Sequence, residues 1–256
     1  MMQEYINKII CGDNADVLPS LPKELVDLTV TSPPYDNLRT YDGYTFDFKY
    51  LAGQLYRVTK PGGVVVWVVM DETIKGSETG TSFRQALHFM QIGFNLHDTM
   101  IYEKAQACFG SNDCYLQSFE YMFVFSKGKP KTINLIRDRK NVRSGVESMA
   151  VTGLSADGTK ADRVRKMMAT FGRRKNIWTY GVGGGKKNHP AVFPEQLVRD
   201  HIISWSKDGD IVLDPFVGSG TTCRVAKLNQ RKFIGIDISR EYCEIAEQAV
   251  DGIFDL

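Results

Sequence analysis

Apolar residues follow two patterns along the chain: short unbroken runs, and spacings of three and four. The valine-rich runs VDLTV and VVVWVVM lack polar alternation, which is typical of strands buried on both faces of a parallel sheet. FDFKYLAGQLYRV and FRQALHFMQIGF space their apolar residues as one face of a helix does. LHDTMIYEK and FEYMFVFSKG add two further strands. Strands that alternate with helices predict an α/β fold with a doubly wound, mostly parallel sheet.

A glycine turn joins a strand to a helix in DPFVGSGTT, residues 214–222. Gly218 and Gly220 let the backbone turn tightly and approach a ligand, and a helix from about Thr221 directs its free N–H groups toward that ligand. Thr221 is expected to cap this helix. Gly220→Val is expected to block the pocket while the protein stays folded.

Asp237 is expected to end the next strand, about 20 residues after the turn, where a carboxylate can accept both hydroxyls of a ribose. Cys223 stands where a dinucleotide fingerprint has its third glycine, so that fingerprint is incomplete. The turn and the carboxylate together predict a nucleoside cofactor. A structural turn with a helix-capping aspartate is the alternative.

The segment TSPPY, residues 31–35, follows the strand VDLTV. Its two prolines fix φ at about −65° and hold an extended backbone whose carbonyls cannot turn away. If the substrate is an exocyclic amino group, an oxygen of Ser32 and the Pro33 carbonyl can accept its two N–H bonds while Tyr35 stacks on the base. These acceptors direct the nitrogen lone pair at an electrophile. Serine itself is too weakly basic to act as a general base unaided.

Basic residues are concentrated in one part of the 256-residue chain, although its net charge is only +2. Residues 131–188 contain 14 Lys or Arg and 4 acidic residues, a net charge of +10, which leaves −8 for the remainder. Such a segregation is expected where a polyanion lies against one face, because Lys and Arg contact phosphates. A solvated loop is the alternative.

TSPPY, DPFVGSGTT, GIDIS at 235–239 and HPAVFP at 189–194 resemble the motifs of the amino-group DNA methyltransferases. The SPPY motif precedes the GSG motif, with the basic segment between them, which is similar to the permuted arrangement of the beta group. The resemblance spans the chain except the basic segment. It implies a permuted Rossmann-like methyltransferase fold with a catalytic half (1–129), a basic target-recognition insert (130–188) and a cofactor-binding half (189–256).

The resemblance also implies the reaction: a methyl group passes from S-adenosylmethionine to the exocyclic amino group of a flipped base at specific sites in duplex DNA. Ser32 favours cytosine N4, because in this family a serine before the double proline occurs mostly in cytosine enzymes; adenine N6 is the runner-up. The implied catalytic residues are Ser32, Pro33, Pro34 and Tyr35. The implied cofactor-binding residues are Asp13, near the adenine, with Asp214, Phe216, Gly218, Ser219, Gly220, Thr221, Thr222, Asp237 and Ile238. The residues expected to contact DNA are Arg173, Arg174, Lys175, Lys186 and Lys187.

Other chemistries fit the sequence less well. None of the nine prolines is followed by Cys, the usual arrangement of the nucleophile in enzymes that methylate cytosine at ring carbon five. The five cysteines and four histidines lack metal-ligand spacing, so no metal is expected. GVGGGKK, residues 181–187, lacks the Ser or Thr of a P-loop. An RNA or protein amino-group methyltransferase and a silent nucleic-acid-binding subunit stay open as alternatives.

The chain is expected to be cytoplasmic, with reduced cysteines. No window approaches the ~18 uninterrupted apolar residues that a membrane span needs, and MMQEYINKIICGD has acids and amides where a signal peptide is apolar. Duplex DNA is the expected partner. A cognate restriction endonuclease and a homodimer are further candidates, and the recognition sequence is left open by the sequence.

Overall fold

The computed structural model describes residues 4–34, 47–105, 115–150, 164–181 and 193–252. Of the predicted site residues, Tyr35, Lys186 and Lys187 lie outside the described residues. The chain divides into two compact units. Unit 1 takes in Met1–Asn134 and Asn176–Leu256, and unit 2 takes in Leu135–Lys175.

The elements of the two units are as follows. The strands are β1 (Lys8–Cys11), β2 (Val26–Thr31), β3 (Thr59–Val69), β4 (Thr73–Ile74), β5 (Ser77–Glu78), β6 (Asn95–Lys104), β7 (Phe119–Ser126), β8 (Arg139–Lys140), β9 (Glu147–Ala150), β10 (Val164–Met167), β11 (Phe171–Gly172), β12 (Ile177–Tyr180), β13 (Ile211–Asp214) and β14 (Lys232–Asp237). The helices are α1 (Asn14–Ser20), α2 (Phe48–Val58), α3 (Thr81–Gln91), α4 (Glu195–Trp205), α5 (Thr221–Leu228) and α6 (Arg240–Asp251).

Unit 1 is built on an eight-stranded sheet in the order β1-β14-β13-β2-β3-β7-β6-β12. Neighbouring strands are parallel except where β7 pairs with β3 and with β6. The prediction of a doubly wound, mostly parallel α/β sheet is confirmed. Because all strands but β7 run the same way, their carboxyl ends meet at one edge, which we call the carboxyl edge.

Helices cover both faces of this sheet. On one face, α1, α2 and α3 bury a core that includes Leu55, Trp67 and Phe125. On the opposite face lies α4, where His201 Nε2 is 3.3 Å from Met122 Sδ of β7. Helix α4 contacts α5, and α5 contacts α6. Apolar burial on both faces explains why β2 and β3 are nearly unbroken runs of buried residues.

Strand β12 lies within the range 130–188, which the sequence analysis assigns to the insert, yet it is the last strand of the sheet. It pairs in parallel with β6, and its Trp178 is buried against the ring of His201, with ring centroids 4.7 Å apart. Burial lowers the pKa of His201 to about 3, so this ring is a neutral part of the packing.

Within the described ranges, no helix has the length and apolar character needed to cross a membrane.

Candidate active site

Four of the predicted site positions lie at the ends of four adjacent strands. Asp13 follows β1 by two residues, Asp237 ends β14, Asp214 ends β13 and Ser32 directly follows β2. The strand order therefore brings them to the carboxyl edge in the sequence Asp13, Asp237, Asp214, Ser32. Residues that are up to 224 positions apart in the chain become neighbours because parallel strands share this edge.

Asp214 is the most deeply buried carboxylate of this group, at 5% exposure. Its Oδ1 accepts hydrogen bonds from Thr31 Oγ1 at 2.7 Å and from the Phe216 N–H at 3.1 Å. Burial raises the pKa of Asp214 to about 6, although the bonds from Thr31, Thr222 and Phe216 stabilise its charged form. The site therefore holds a carboxylate whose negative charge is poorly solvated.

The raised pKa of Asp214 predicts that stability falls as pH rises. The folded state binds this proton up to about pH 6, whereas the unfolded chain loses it near the ordinary aspartate value of 3.8. The contribution of Asp214 to the free energy of unfolding is thus complete below pH 3.8, and it is lost as pH rises through about 6. Asp214→Asn should remove this loss and raise the melting temperature at pH 8 by a few degrees, since ~1 kcal/mol is worth about 2–4 °C at this chain length. Thermal unfolding of both proteins from pH 4 to 8 tests this, and parallel curves would contradict it.

Asp237 organises the glycine turn through both of its carboxylate oxygens. Its Oδ2 accepts a bond from the Gly218 N–H at 2.9 Å, and its Oδ1 accepts one from the Ser239 N–H at 2.9 Å. The Val217 N–H donates to the Ile236 carbonyl at 2.9 Å, which fixes the turn against β14. Gly218 adopts φ +50°, a conformation that favours glycine. The predicted cradle and the predicted ribose carboxylate are thus one hydrogen-bonded unit.

Helix α5 begins at Thr221, as expected, but Thr221 does not cap it. The N-cap is Gly220, with φ +82°, and no described side chain caps the helix. Thr221 and Thr222 are both buried, and Thr222 Oγ1 lies 3.4 Å from the Val30 carbonyl oxygen. The first N–H groups of α5 therefore belong to a helix end that lacks a capping oxygen, a position that favours negative charge or a hydrogen-bond acceptor.

Besides the expected block of the pocket, the structure shows a second effect of Gly220→Val, on the packing of α5 against α6. A Cβ at Gly220 would lie 2.7 Å from Ala246 Cα and 3.1 Å from the Ala246 carbonyl oxygen of α6, so it would collide with backbone. The glycine is required where α5 and α6 pack closely, in addition to its positive φ. We expect Gly220→Val to lower the unfolding free energy by about 2 kcal/mol, which thermal unfolding without any ligand measures.

Two residues at the start of α1 connect the ends of β1 and β13. Asp13 Oδ1 accepts a bond from the Ala15 N–H at 2.8 Å and so caps α1. The buried Asn14 side chain donates from Nδ2 to the Pro215 carbonyl at 3.2 Å. The sequence analysis missed Asn14, because nothing in CGDNADVL shows that its amide meets a loop 201 residues away.

The other predicted site residues of unit 1 lie around this framework. Ser219 Oγ is 3.4 Å from Thr221 Oγ1, Phe216 is partly buried against the core and Ile238 is 49% exposed. After β2, Pro33 is buried, and Ser32 and Pro34 are half-buried. An exposed apolar side chain at Ile238, directly after Asp237, is available to cover a flat ligand.

A buried ion pair that the sequence analysis missed also lies at the carboxyl edge. Lys104, the last residue of β6, has its Nζ 2.9 Å from Glu120 Oε1 of β7, and both side chains are about one tenth exposed (11% and 12%). Lys104 Nζ is also 3.6 Å from Met70 Sδ, directly after β3. Since β3 is the neighbour of β2, this pair stands on the same side of the edge as Ser32. The apolar run of FEYMFVFSKG indicates a strand, and it gave no sign that the Glu120 side chain is largely covered.

The basic residues Arg173, Arg174 and Lys175 all belong to unit 2. Arg174 forms a two-point contact with Asp138, with Nε 2.8 Å from Oδ2 and Nη2 on the same oxygen. This bond lowers the pKa of Asp138. The carbonyl of Arg173 accepts a hydrogen bond from Arg139 Nε at 3.2 Å. Of the predicted DNA contacts, Arg174 thus already has a carboxylate partner.

A mostly parallel sheet with a glycine turn, a strand-end carboxylate and a serine followed by two prolines is typical of an α/β enzyme that uses a nucleoside cofactor at the carboxyl edge. Residues 26–248 match the model of the N6_N4_Mtase family, described as DNA methylase. The orphan methyltransferase M.BamHII of Bacillus amyloliquefaciens is 57% identical over 232 residues, which cover 87% of this chain and 88% of that protein. The chain belongs to this family of N6/N4 DNA methylases, and the resemblance identified from its motifs is confirmed.

Two solved structures share the fold. The cytosine-N4-specific PvuII DNA methyltransferase superimposes with a TM-score of 0.68 at 20% identity, covering 96% of this chain and 86% of its own. A DNA modification methylase of Thermus thermophilus, TTHA0409, in complex with S-adenosyl-L-methionine, superimposes with a TM-score of 0.65 at 22% identity, covering 96% and 97%.

Proposed function

We propose that this DNA methylase transfers the methyl group of S-adenosylmethionine to the N4 amino group of a cytosine flipped out of duplex DNA. One observation carries the proposal: the adjacent strands β14, β13 and β2 end in Asp237, in Asp214 and in the segment Ser32-Pro33-Pro34. A site for a nucleoside cofactor and a site for an amino group are therefore side by side.

S-adenosylmethionine fits the cofactor side of the site. Bound there, it supplies an electrophilic methyl group on a cationic sulfur. Asp237 and the N–H groups of the Gly218 turn suit a ribose, and the exposed Ile238 suits the face of an adenine. The poorly solvated Asp214 carboxylate gains from a nearby cation, so cofactor affinity should weaken below about pH 6 as Asp214 binds a proton.

The amino group is held on the other side. The Ser32 side-chain oxygen and the Pro33 carbonyl oxygen accept hydrogen bonds from its two N–H groups, and the two prolines keep these acceptors rigid. Accepting these bonds withdraws the nitrogen lone pair from conjugation with the ring and directs it toward the methyl group. As the nitrogen–carbon bond forms, the carbon–sulfur bond breaks to leave a neutral thioether, and the amino nitrogen then loses one of its protons to water. The protein thus contributes orientation and hydrogen bonds to the transition state.

The base must leave the duplex, because stacking and pairing hide its amino group from in-line attack. Extrusion costs a few kcal/mol of unstacking and unpairing. Phosphate contacts from the basic insert, 130–188, offset this cost, since that part of the chain carries the excess of Lys and Arg.

M.BamHII is named an orphan methyltransferase, and we extend this to the present chain: it methylates DNA without a paired restriction endonuclease.

Cytosine is favoured over adenine by Ser32, since serine before the double proline is typical of the cytosine enzymes in the resembled family. Adenine N6 is the second candidate, because either base presents two amino N–H bonds to the same acceptors. The test is to incubate the protein with labelled S-adenosylmethionine and, in parallel, duplex DNA, RNA and protein. Digestion of the DNA to nucleosides and mass analysis should return N4-methylcytosine. N6-methyladenine alone would assign the adenine reaction, and no labelled DNA would refute the proposal.

A further inference from the structure

Unit 2 contains a two-stranded antiparallel ribbon. Strand β11 pairs with β8, and β10 pairs with β9. Backbone bonds from Asn141 N to the Thr170 carbonyl at 2.9 Å and from Met168 N to the Val146 carbonyl at 3.1 Å join these two short pairs. The major groove of B-DNA, about 12 Å wide, admits such a ribbon.

The ribbon has a tight bulge between β8 and β9. Ser144 N donates to the Asn141 carbonyl at 3.3 Å, and Gly145, with φ +77°, donates to the Met168 carbonyl at 3.0 Å. Val142 and Arg143 at this bulge are exposed, and Val142 has no measurable burial, at 102% exposure. In the major groove, an exposed apolar side chain beside basic residues can contact the methyl group of a thymine.

Arg139 lies next to this bulge with its guanidinium held in place. Its Nε donates to the Arg173 carbonyl across the ribbon at 3.2 Å. The opposite residue is Gly172, where a Cβ would lie 2.6 Å from Arg139 Nη2 and 2.9 Å from Asn141 Oδ1. The Arg139 side chain therefore crosses over Gly172 on the same face as Asn141. A side chain at position 172 would require the Arg139 guanidinium to move from this position.

The guanidinium groups of Arg139 and Arg174 have different roles in this ribbon. Arg174 on the same ribbon is bound to Asp138 and supports the fold of the unit. Arg139 is exposed, and its planar fork matches the O6 and N7 acceptors of guanine, the commonest base-specific contact in the major groove. Because the Arg139 guanidinium is already oriented by its bond to the Arg173 carbonyl, less conformational entropy is lost when DNA binds.

We propose that the Arg139 face of this ribbon enters the major groove and that Arg139 reads a guanine of the recognition sequence. The inference rests on the proposed methylation of duplex DNA and adds the residue that selects where it occurs. Gly172 is a positioning residue, because it acts only through the orientation of Arg139.

The test uses the full-length chain expressed in a bacterial host that lacks its own DNA methyltransferases, with genome-wide mapping of methylated positions. The wild-type protein should mark one sequence motif. In Arg139→Ala, one G·C position of that motif should become degenerate, with discrimination there reduced about 10- to 100-fold. Gly172→Ala should give the same degeneracy with every charge retained, because its Cβ displaces the guanidinium. Arg139→Lys keeps the charge and the fold but lacks the paired N–H donors of the guanidinium. Its methylated motif should therefore show the same degeneracy as that of Arg139→Ala.

Arg173→Ala is the matched control, since the bond from Arg139 uses only the Arg173 backbone. It should keep the motif unchanged and flatten the salt dependence of DNA binding by about one log–log unit if Arg173 contacts a phosphate. An unchanged motif in Arg139→Ala would overturn the inference, whether or not DNA affinity falls, and an unchanged motif in Gly172→Ala alone would remove the positioning role of Gly172. A wild-type protein that marks no DNA would instead refute the proposed function, so the two failures are distinguishable.

Discussion

Ser32→Ala is expected to lower turnover about 100-fold or more while S-adenosylmethionine binds as before. The substitution removes an acceptor whose hydrogen bond strengthens as the amino nitrogen attacks, so its loss raises the barrier more than it weakens binding. Ser32 follows Thr31, which bonds Asp214, so the variant retains the bond that joins β2 to the cofactor side. Single-turnover methylation of DNA and calorimetric titration of the cofactor measure the two effects separately.

The control for this variant is Ser126→Ala. Ser126 is a buried serine of the same sheet, where its Oγ donates to the Gly128 carbonyl at 2.8 Å, but it ends the antiparallel strand β7 and so lies at the opposite edge. We expect normal turnover at a temperature where the control is folded. Full turnover in Ser32→Ala would remove the catalytic role from that side chain.

Asp237→Ala is expected to weaken S-adenosylmethionine binding by roughly 10- to 150-fold, or about 1.5–3 kcal/mol. The carboxylate is needed twice: it is the proposed acceptor of the ribose hydroxyls, and it holds the N–H groups of Gly218 and Ser239. Asp237→Asn should have a smaller effect, because its amide oxygen retains one of these acceptors. Calorimetric titration of the three proteins gives the comparison.

Asp27→Ala provides the matched control for Asp237. Asp27 also joins two elements, accepting bonds from Lys60 Nζ at 2.6 Å and the Ile211 N–H at 3.0 Å, but it lies where β2 and β13 begin. Its loss should lower stability and leave cofactor affinity unchanged. Equal affinities for wild type and Asp237→Ala would exclude Asp237 from the cofactor site.

The part of the site predicted from sequence is the part encoded by short, local patterns. Asp214, Asp237 and Ser32 each follow a valine- or isoleucine-rich run, and parallel strands place the ends of such runs at one edge. Local pattern also predicts the start of α5, although Gly220 rather than Thr221 caps it.

The missed features depend on contacts between distant segments. Asn14 bonds the carbonyl of Pro215, and Lys104 pairs with Glu120 across two strands, so neither role is visible in its own segment. Gly220 is expected to be needed for ligand access, but the structure shows that it is needed by Ala246 of α6. Strand β12 was missed because its single buried residue, Trp178, stands among basic residues.

The pairing of β1 with β14 joins segments with a large sequence separation, and this has a consequence for how the chain folds. Lys8 pairs with Ile234, 226 positions later, so β1 has no partner in the sheet until β14 has been synthesised. Such a non-local pairing forms slowly, since a long loop must close before any contact stabilises it. The proposed cofactor site uses Asp13, which follows β1, and Asp237, which ends β14, so we expect a nascent chain that lacks β14 to bind no S-adenosylmethionine. We therefore expect the proposed cofactor site to be among the last parts of unit 1 to form as the chain folds.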